Sequence, residues 1–333
     1  MAGGQERALR RRIKSVQSTK KITKAMELIA ASRIAKAQDR VAAARPYSDR
    51  ITEVIRNLSA AGAGGESPLL NPRDEVTTVA YVVVAADRGL AGGYNATVIR
   101  AAENAMAADN AAGRKTALIT VGKKATGYFR FRKYDIAASF VGFSDSPDYE
   151  SAREVAAHVA ERFETGEYSE VHLAYTQFLS MGTQVVQVAQ YMPLDTTALE
   201  DTTSEGPSAD YEFEPDPNEI LERLLPRYAE ARLYASLLDA AASEHAARQR
   251  AMKAATENAD EMIVKLSRVM NRARQDAITT EITEIAGGAE ALRKAQTDST
   301  DLLIDQVNPD DLFGPRSPNN PYRQAHFAAG DQA

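Results

Sequence analysis

Apolar residues recur every three or four positions from Glu6 to Leu58, and from Ile34 they keep a heptad rhythm through Ala37, Val41, Ala44, Ser48, Ile51, Ile55 and Leu58. That spacing predicts one long helix with a seam for a partner helix. Earlier, Leu9, Ile13 and Val16 hold one phase and Ile22, Met26 and Ile29 another. The stripe is therefore expected to slip sideways, with a change of partner or a local distortion of the supercoil. Pro46 predicts a kink, and Ala61 to Gly65 with Pro68 predict the stop. A second helical segment begins near Pro217 and runs to about Ala286. Its three-four spacing passes through Leu224, Tyr228, Ala231, Ala235, Leu238, Ala242, His245, Gln249, Met252, Thr256, Ala259, Ile263, Leu266, Met270 and Ala273. Roughly 60 helical residues at 1.5 Å each make a rod of about 90 Å. So many small residues predict unusually close packing. The N-terminal helix is the only comparable partner in the chain, so the two ends are expected to form an antiparallel coiled coil.

Between the helices the pattern changes. "EVTTVAYVVVAA", "KTALITVG", "IAASFVGF", "EVHLAYTQF" and "TQVVQVAQYMPL" read as strands, alternating with helical stretches at Ala96 to Ala108, Lys123 to Lys133 and Tyr149 to Phe163. This alternation predicts a small α/β domain. The expected organisation is a coiled-coil helix over 1–60, the α/β domain over 74–194, a polar connector over 195–217, the second coiled-coil helix over 218–296 and an acidic, disordered tail over 297–333.

Composition narrows the chemistry. The chain has 333 residues, 44% of them apolar, and a net charge of −6 that hides a basic N-terminal helix and an acidic end after Asp298. The average charge argues against a general nucleic-acid binder, and no aromatic residue stands among the N-terminal cations for base stacking. Without cysteine there is no disulfide, thiolate nucleophile or sulfur metal site, and the four histidines are scattered. No run approaches the roughly 18 apolar residues of a membrane helix, and the N-terminus has no signal-peptide core, so a soluble chain without an export signal is expected.

Three stretches invite a functional reading. "AADRGLAGGYN", Ala85 to Asn95, follows a strand and precedes a helix, but its spacing is neither GxGxxG nor GxxxxGK[ST], and Arg88 is its only cation. "VGKKA", Val121 to Ala125, lacks the upstream glycine and following hydroxyl of a phosphate loop. Both read as structural turns. The basic helix reads as a solvated face or as a surface for nucleic acid, anionic lipid or an acidic protein, with single-strand binding disfavoured. In "NRARQDAITTEITEI", Arg272, Arg274, Gln275 and Thr279 crowd donors into two turns beside a fresh apolar stripe of Ile278, Ile282 and Ile285. Were the rod only an internal coiled coil, this end would sit against Val16 to Ile29; two slipping, donor-rich helix ends predict instead a tip that grips something other than itself.

"RIKSVQSTKKITKAMELIAASR", "DRGLAGGYN" and "SEHAARQRAMKAATENADEMI", continuing through "NRARQDAITTEITEIAGGAEAL", together resemble the gamma subunit of the F-type rotary ATP synthase over roughly residues 5 to 292. The resemblance implies a Rossmann-like α/β domain that carries no nucleotide, and a coiled coil acting as the rotor shaft. It implies no cofactor and no catalysis in this chain. The implied partners are the alpha and beta subunits of the catalytic hexamer, the epsilon subunit and the membrane c-ring, at the cytoplasmic face of a bacterial plasma membrane. Carried over by motif, Met26, Arg274, Gln275 and Thr279 are beta-subunit contacts, and Arg248 and Met252 are signature positions. Tyr211, Glu212, Phe213, Glu214 and Asp216 are foot contacts to epsilon and the c-ring. Two other readings stay open on the residues alone: a nucleotide-dependent enzyme with helical arms, and a coiled-coil scaffold unrelated to energy coupling. The tail departs from the family pattern and is either inert or a brake.

Overall fold

A computed structural model describes residues 2–60, 63, 67–73, 75–194, 214 and 216–305. Helix α1 covers Ala2–Ala60. Five strands and three helices follow: β1 (Thr78–Val84), α2 (Tyr94–Ala111), β2 (Lys115–Val121), α3 (Lys123–Phe131), β3 (Ile136–Phe140), α4 (Tyr149–Glu164), β4 (Glu170–Phe178) and β5 (Gln184–Met192). Helix α5, Pro217–Asp305, closes the order. All five expected strands and both long helices are present. Helix α1 continues through Pro46, and α5 includes Thr297 to Asp305, which the sequence pattern assigned to the tail. Residues 306–333 and most of the connector lie outside the described residues. The chain divides into two compact units, Val16–Met262 and Met1–Ser15 with Ile263–Ala333.

In the first unit the sheet order is β3-β2-β1-β4-β5. Strands β1 to β4 are parallel and β5 pairs antiparallel with β4. Alternate residues of β1 serve two layers. Val79, Tyr81 and Val83 pack with Val98, Ala102, Met106 and Phe129 of α2 and α3. Ala80, Val82 and Val84 pack with Val155, Val159 and Phe163 of α4, Ile51, Ile55 and Leu58 of α1, and Leu225 and Leu233 of α5. A parallel sheet buried on both faces explains why β1 reads as an unbroken apolar run.

Helices α1 and α5 run antiparallel within this unit, with the Thr23 and Thr256 hydroxyls 2.8 Å apart and Lys20 paired to Asp260. The α5 seam follows the expected spacing: every position from Leu224 to Ala259 in that series is buried or half-buried. On α1 the expected slip does not occur. Val16, Lys20, Thr23, Ala30, Ile34 and Ala37 keep one phase, whereas Ile22 and Ile29 are 58% and 55% exposed. The cause is that Thr23 and Lys20 hold the seam by polar pairing, so Ile22 and Ile29 of the second phase face outward while Met26 stays half-buried. Lys20 and Thr23 face the α5 turns that carry Asp260 and Thr256.

In the second unit Ile13 is buried and Leu9 half-buried, as are Ile263, Leu266, Met270, Ala273 and Ala277. From Ile278 to Gln296 every residue is exposed.

The "VGKKA" turn owes its glycine to sterics. Gly122 has φ +94°, and a Cβ there would lie 2.0 Å from the backbone oxygen of Ala85. At Gly89 the nearest atom to such a carbon is the Lys124 side chain at 3.6 Å. Gly122→Ala is therefore expected to lower the unfolding free energy by more than about 2 kcal/mol. Gly89→Ala should change it by less than about 1 kcal/mol. Equilibrium denaturation of both variants checks the contrast, and equal losses would remove the steric account.

Candidate functional site

In a doubly wound sheet the ligand crevice lies beyond the carboxyl ends of the strands, where the strand order reverses. Here that point falls between β1 and β4, and the loop from Ala85 to Gly93 borders it. Helix α5 lies across it. Arg248 donates through Nε and Nη2 to the Gly89 carbonyl at 3.4 and 3.2 Å. The Tyr94 hydroxyl donates to the Ala240 carbonyl at 3.1 Å, and Ser243 Oγ to the Thr176 carbonyl at 3.1 Å. Gly92 has φ +57°, which favours glycine, and a Cβ there would stand in ordinary contact, 3.7 Å, with that of Ala251 on α5.

The loop's own charge is negative at its key position. The Asp87 carboxylate accepts from the backbone N–H groups of Lys123, Gly142 and Ser144 at 3.0, 2.9 and 3.1 Å. Partial burial raises its pKa, but these donors outweigh burial and hold the carboxyl below its usual range. Asp87 thus ties β1 to the turns after β2 and β3, the places where a phosphate would need donors.

Beneath the loop, Glu244 and Arg248 form a buried ion pair at 2.6 Å, with side chains 1% and 10% exposed. Burial raises the Glu244 pKa and Arg248 only partly offsets it. His245 Nε2 lies 2.9 Å from the Asp145 carbonyl, and burial pulls its pKa down, so a neutral ring donating from Nε2 fits the site. Asp145 also pairs with Arg33 of α1. The sequence Arg33, Asp145, His245, Arg248, Gly89 is a polar latch fastening the α/β domain to both helices.

The expected contact residues fall elsewhere. Met26 is half-buried on α1 in the first unit, between exposed Ile22 and Ile29. Arg274, Gln275 and Thr279 are exposed in the second unit, where Thr279 Oγ1 donates to the Gln275 carbonyl at 3.0 Å. They share the bare stretch of α5 with Ile278, Ile282 and Ile285, which are 49%, 62% and 66% exposed. Arg248 and Met252 are buried packing positions. Glu214 and Asp216 are exposed, and Asp216 caps the start of α5 by accepting from the Asn218 N–H at 2.8 Å. Tyr211, Glu212 and Phe213 lie outside the described residues. Sequence reasoning missed Asp87, Asp145 and Glu244. Only Glu244 had a local signal, its spacing of four from Arg248.

Comparison with known proteins gives a single family. The family model described as ATP synthase matches residues 5–292. The ATP synthase gamma chain of Frankia casuarinae is 50% identical over 293 residues, covering 87% of this chain and 98% of that one. That of Kineococcus radiotolerans is 46% identical, covering 87% and 97%. Among solved structures, a chain of the Euglena gracilis mitochondrial ATP synthase OSCP/F1/c-ring in rotational state 3 is similar in fold, with a TM-score of 0.62 at 15% identity, covering 88% of this chain and 96% of that one. A chain of the rotor of the same enzyme in rotational state 1 gives 0.57 at 15%, covering 83% and 99%.

Asp87→Asn keeps the size of the side chain but sets an amide N–H₂ against backbone donors. The variant is expected to be less stable by about 2 kcal/mol at neutral pH. A folded pKa below the unfolded value means that the carboxylate's contribution is present above the unfolded pKa and is lost as pH falls through the folded one. The stability gap between wild type and variant should therefore shrink on acidification through the carboxylate range. Denaturation series at several pH values measure it, and a gap independent of pH would sink the assignment.

Proposed function

We propose a mechanical role for this chain, which belongs to the ATP synthase gamma-chain family: it is the central rotor shaft that couples ion-driven rotation to nucleotide chemistry performed in other subunits. The observation that carries this reading is the match along nearly the whole length of gamma chains. The crevice geometry supports a non-catalytic role, because α5 occupies the place where a nucleotide-binding sheet holds its ligand.

The proposed partners are the alpha and beta subunits, epsilon and the c-ring. Torque transmission needs a shaft that resists twisting, and the small-residue seam with its polar ties provides close helix contact in the first unit. The same shaft must present outward faces to a surrounding ring. Exposed Ile22 and Ile29 flank Met26 on α1, and Ile278, Ile282 and Ile285 flank Arg274, Gln275 and Thr279 on α5. In this reading those residues meet beta-subunit loops, and the cations of α1 track acidic surfaces between equivalent positions. Glu214 and Asp216, with the neighbouring Tyr211 to Phe213, form the foot toward epsilon and the c-ring. Among the described residues no helix is long and apolar enough to cross a membrane, and the proposed location is peripheral, at the cytoplasmic face.

Arg274→Ala combined with Gln275→Ala removes exposed donors and leaves the buried seam untouched. A charge-assisted hydrogen bond is worth about 1.5 to 3 kcal/mol, enough to change coupling by tenfold or more. In the assembled enzyme, ATP hydrolysis and ATP-driven ion pumping are expected to fall, while thermal unfolding of the isolated chain stays at the wild-type temperature. Wild-type pumping and hydrolysis would take these residues out of the grip on beta. Met26→Lys should leave assembly intact and lower the ions pumped per ATP hydrolysed, and an unchanged ratio would make Met26 seam packing alone.

A further inference from the structure

Within the first unit, the loop between β3 and α4 bonds to three neighbours through three successive residues. Ser144 serves the α/β domain: its Oγ accepts from the Asp87 N–H at 2.7 Å, and its own N–H donates to the Asp87 carboxylate at 3.1 Å. Asp145 serves both long helices. Its carboxylate pairs with Arg33 of α1, and its carbonyl accepts from His245 Nε2 of α5 at 2.9 Å. Ser146 returns to α1, its Oγ accepting from Arg40 Nη1 at 2.6 Å.

The spacing on α1 gives these bonds a mechanical sense. Arg33 and Arg40 stand two turns apart, so they share a face of the helix, about 10 Å from each other along its axis. Their targets are adjacent in the chain. The two side chains converge on one point of the loop from two levels of α1. Sliding the helix either way along its axis, or turning it about that axis, stretches at least one bond.

Farther along, α1 meets the sheet through Ile51, Ile55 and Leu58. Apolar burial is non-directional, so such a contact tolerates small rotations that keep the same area covered. Buried area holds the pieces together, and directional, charge-assisted bonds set their angle. On α5, Ser243 and Arg248 set it through the Thr176 and Gly89 carbonyls. On α1, Arg33 and Arg40 perform the same task.

We infer that the loop from Ser144 to Ser146 is the joint that makes the α/β domain and the two helices of this unit turn as one body under load, with Arg33 and Arg40 as its positioning residues. The inference rests on the shaft reading above and adds the place where twist passes between domain and helices. Without the joint the pieces stay packed, and the domain lags behind the helices only when an opposing torque acts. Such a fault shows under load and not in free running.

Arg33→Gln combined with Arg40→Gln tests it in the assembled, membrane-bound enzyme, with ATP hydrolysis and ions pumped per ATP measured against increasing opposing ion gradients. Hydrolysis without a gradient is expected to stay at the wild-type rate, while ions pumped per ATP fall at least about twofold below wild type as the gradient rises. The chain has no cysteine, so Arg40→Cys with Ser146→Cys supplies its only thiols, and a short bifunctional thiol reagent can bridge them. In an Arg33→Gln background, bridging should restore pumping under load. A wild-type ratio at every gradient would overturn the proposal. So would a loss of equal size with and without a gradient, the mark of a general structural fault, or a bridged variant that slips as much as the unbridged one. Arg40 is exposed, and Arg40→Gln alone carries the same comparison if the double variant does not assemble. Pumping that survives omission of the whole chain would sink the shaft reading instead, whereas the outcomes above sink the joint alone.

Discussion

Seven consecutive residues of α5, Ala240 to Ala246, are buried. A helix is enclosed on every side only when different neighbours cover different faces, and here α1, the sheet and the glycine-bearing loop are those neighbours. That enclosure dictates the composition. Large side chains have nowhere to go, so alanine recurs, and every polar residue admitted needs a partner. Ser243 finds the Thr176 carbonyl, His245 the Asp145 carbonyl, and Glu244 finds Arg248. Seam, domain docking and loop conformation follow from one stretch of one helix.

The buried ion pair in that stretch is better understood as a device of register than as a source of stability. Removing two charges from water costs several kcal/mol per ion, and their attraction roughly returns it. What the pair adds is discrimination. Glu244 and Arg248 stand four apart on α5 and turn together, so it is the bond from Arg248 to the Gly89 carbonyl that a rotation of α5 by one residue would break, leaving the pair without its tie to the loop. A helix lined by alanine has little shape to fix its rotation, because methyl groups are nearly interchangeable along the seam. Polar pairs supply the missing specificity, and Thr23 with Thr256 and Lys20 with Asp260 repeat the strategy farther along the same two helices.

Much of this was legible in the sequence, and the boundary is physical. The α5 series from Leu224 to Ala259 could be read because three-four spacing is a local property that close packing preserves. The strands could be read because a sheet buried on both faces writes continuous apolar runs. The "DRGLAGGYN" turn lacks the spacing of a phosphate loop, which is a local property of the sequence. The helix it docks against, through Arg248 and Ala251, lies about 160 residues away, and no local pattern carries that. Asp145 and Arg33 are likewise joined only by the fold. The phase slip on α1 misled for a different reason. Apolar periodicity identifies a buried seam only when burial is driven by apolar area, and here hydroxyl and charge pairs took the seam positions.

The outward displacement of Ile22 and Ile29 has a consequence for how α1 works. A two-stranded coiled coil on its own gains most by burying its strongest apolar residues between its strands. Between Lys20 and Ala30 this helix instead places small and polar residues inside and leaves Ile22, Leu28 and Ile29 on the surface, interleaved with lysine. On α5 the same inversion is complete from Ile278 to Gln296, where isoleucines sit 49% to 66% exposed and every residue is open. Scattered exposed apolar residues are ordinary, but a repeated stripe at helical spacing is the kind of surface that marks an interaction site. Apolar contact without deep interlocking gives grip without a single preferred pose, and long-range attraction from the cations varies slowly with angle. A shaft that must be held yet turn needs both properties at once.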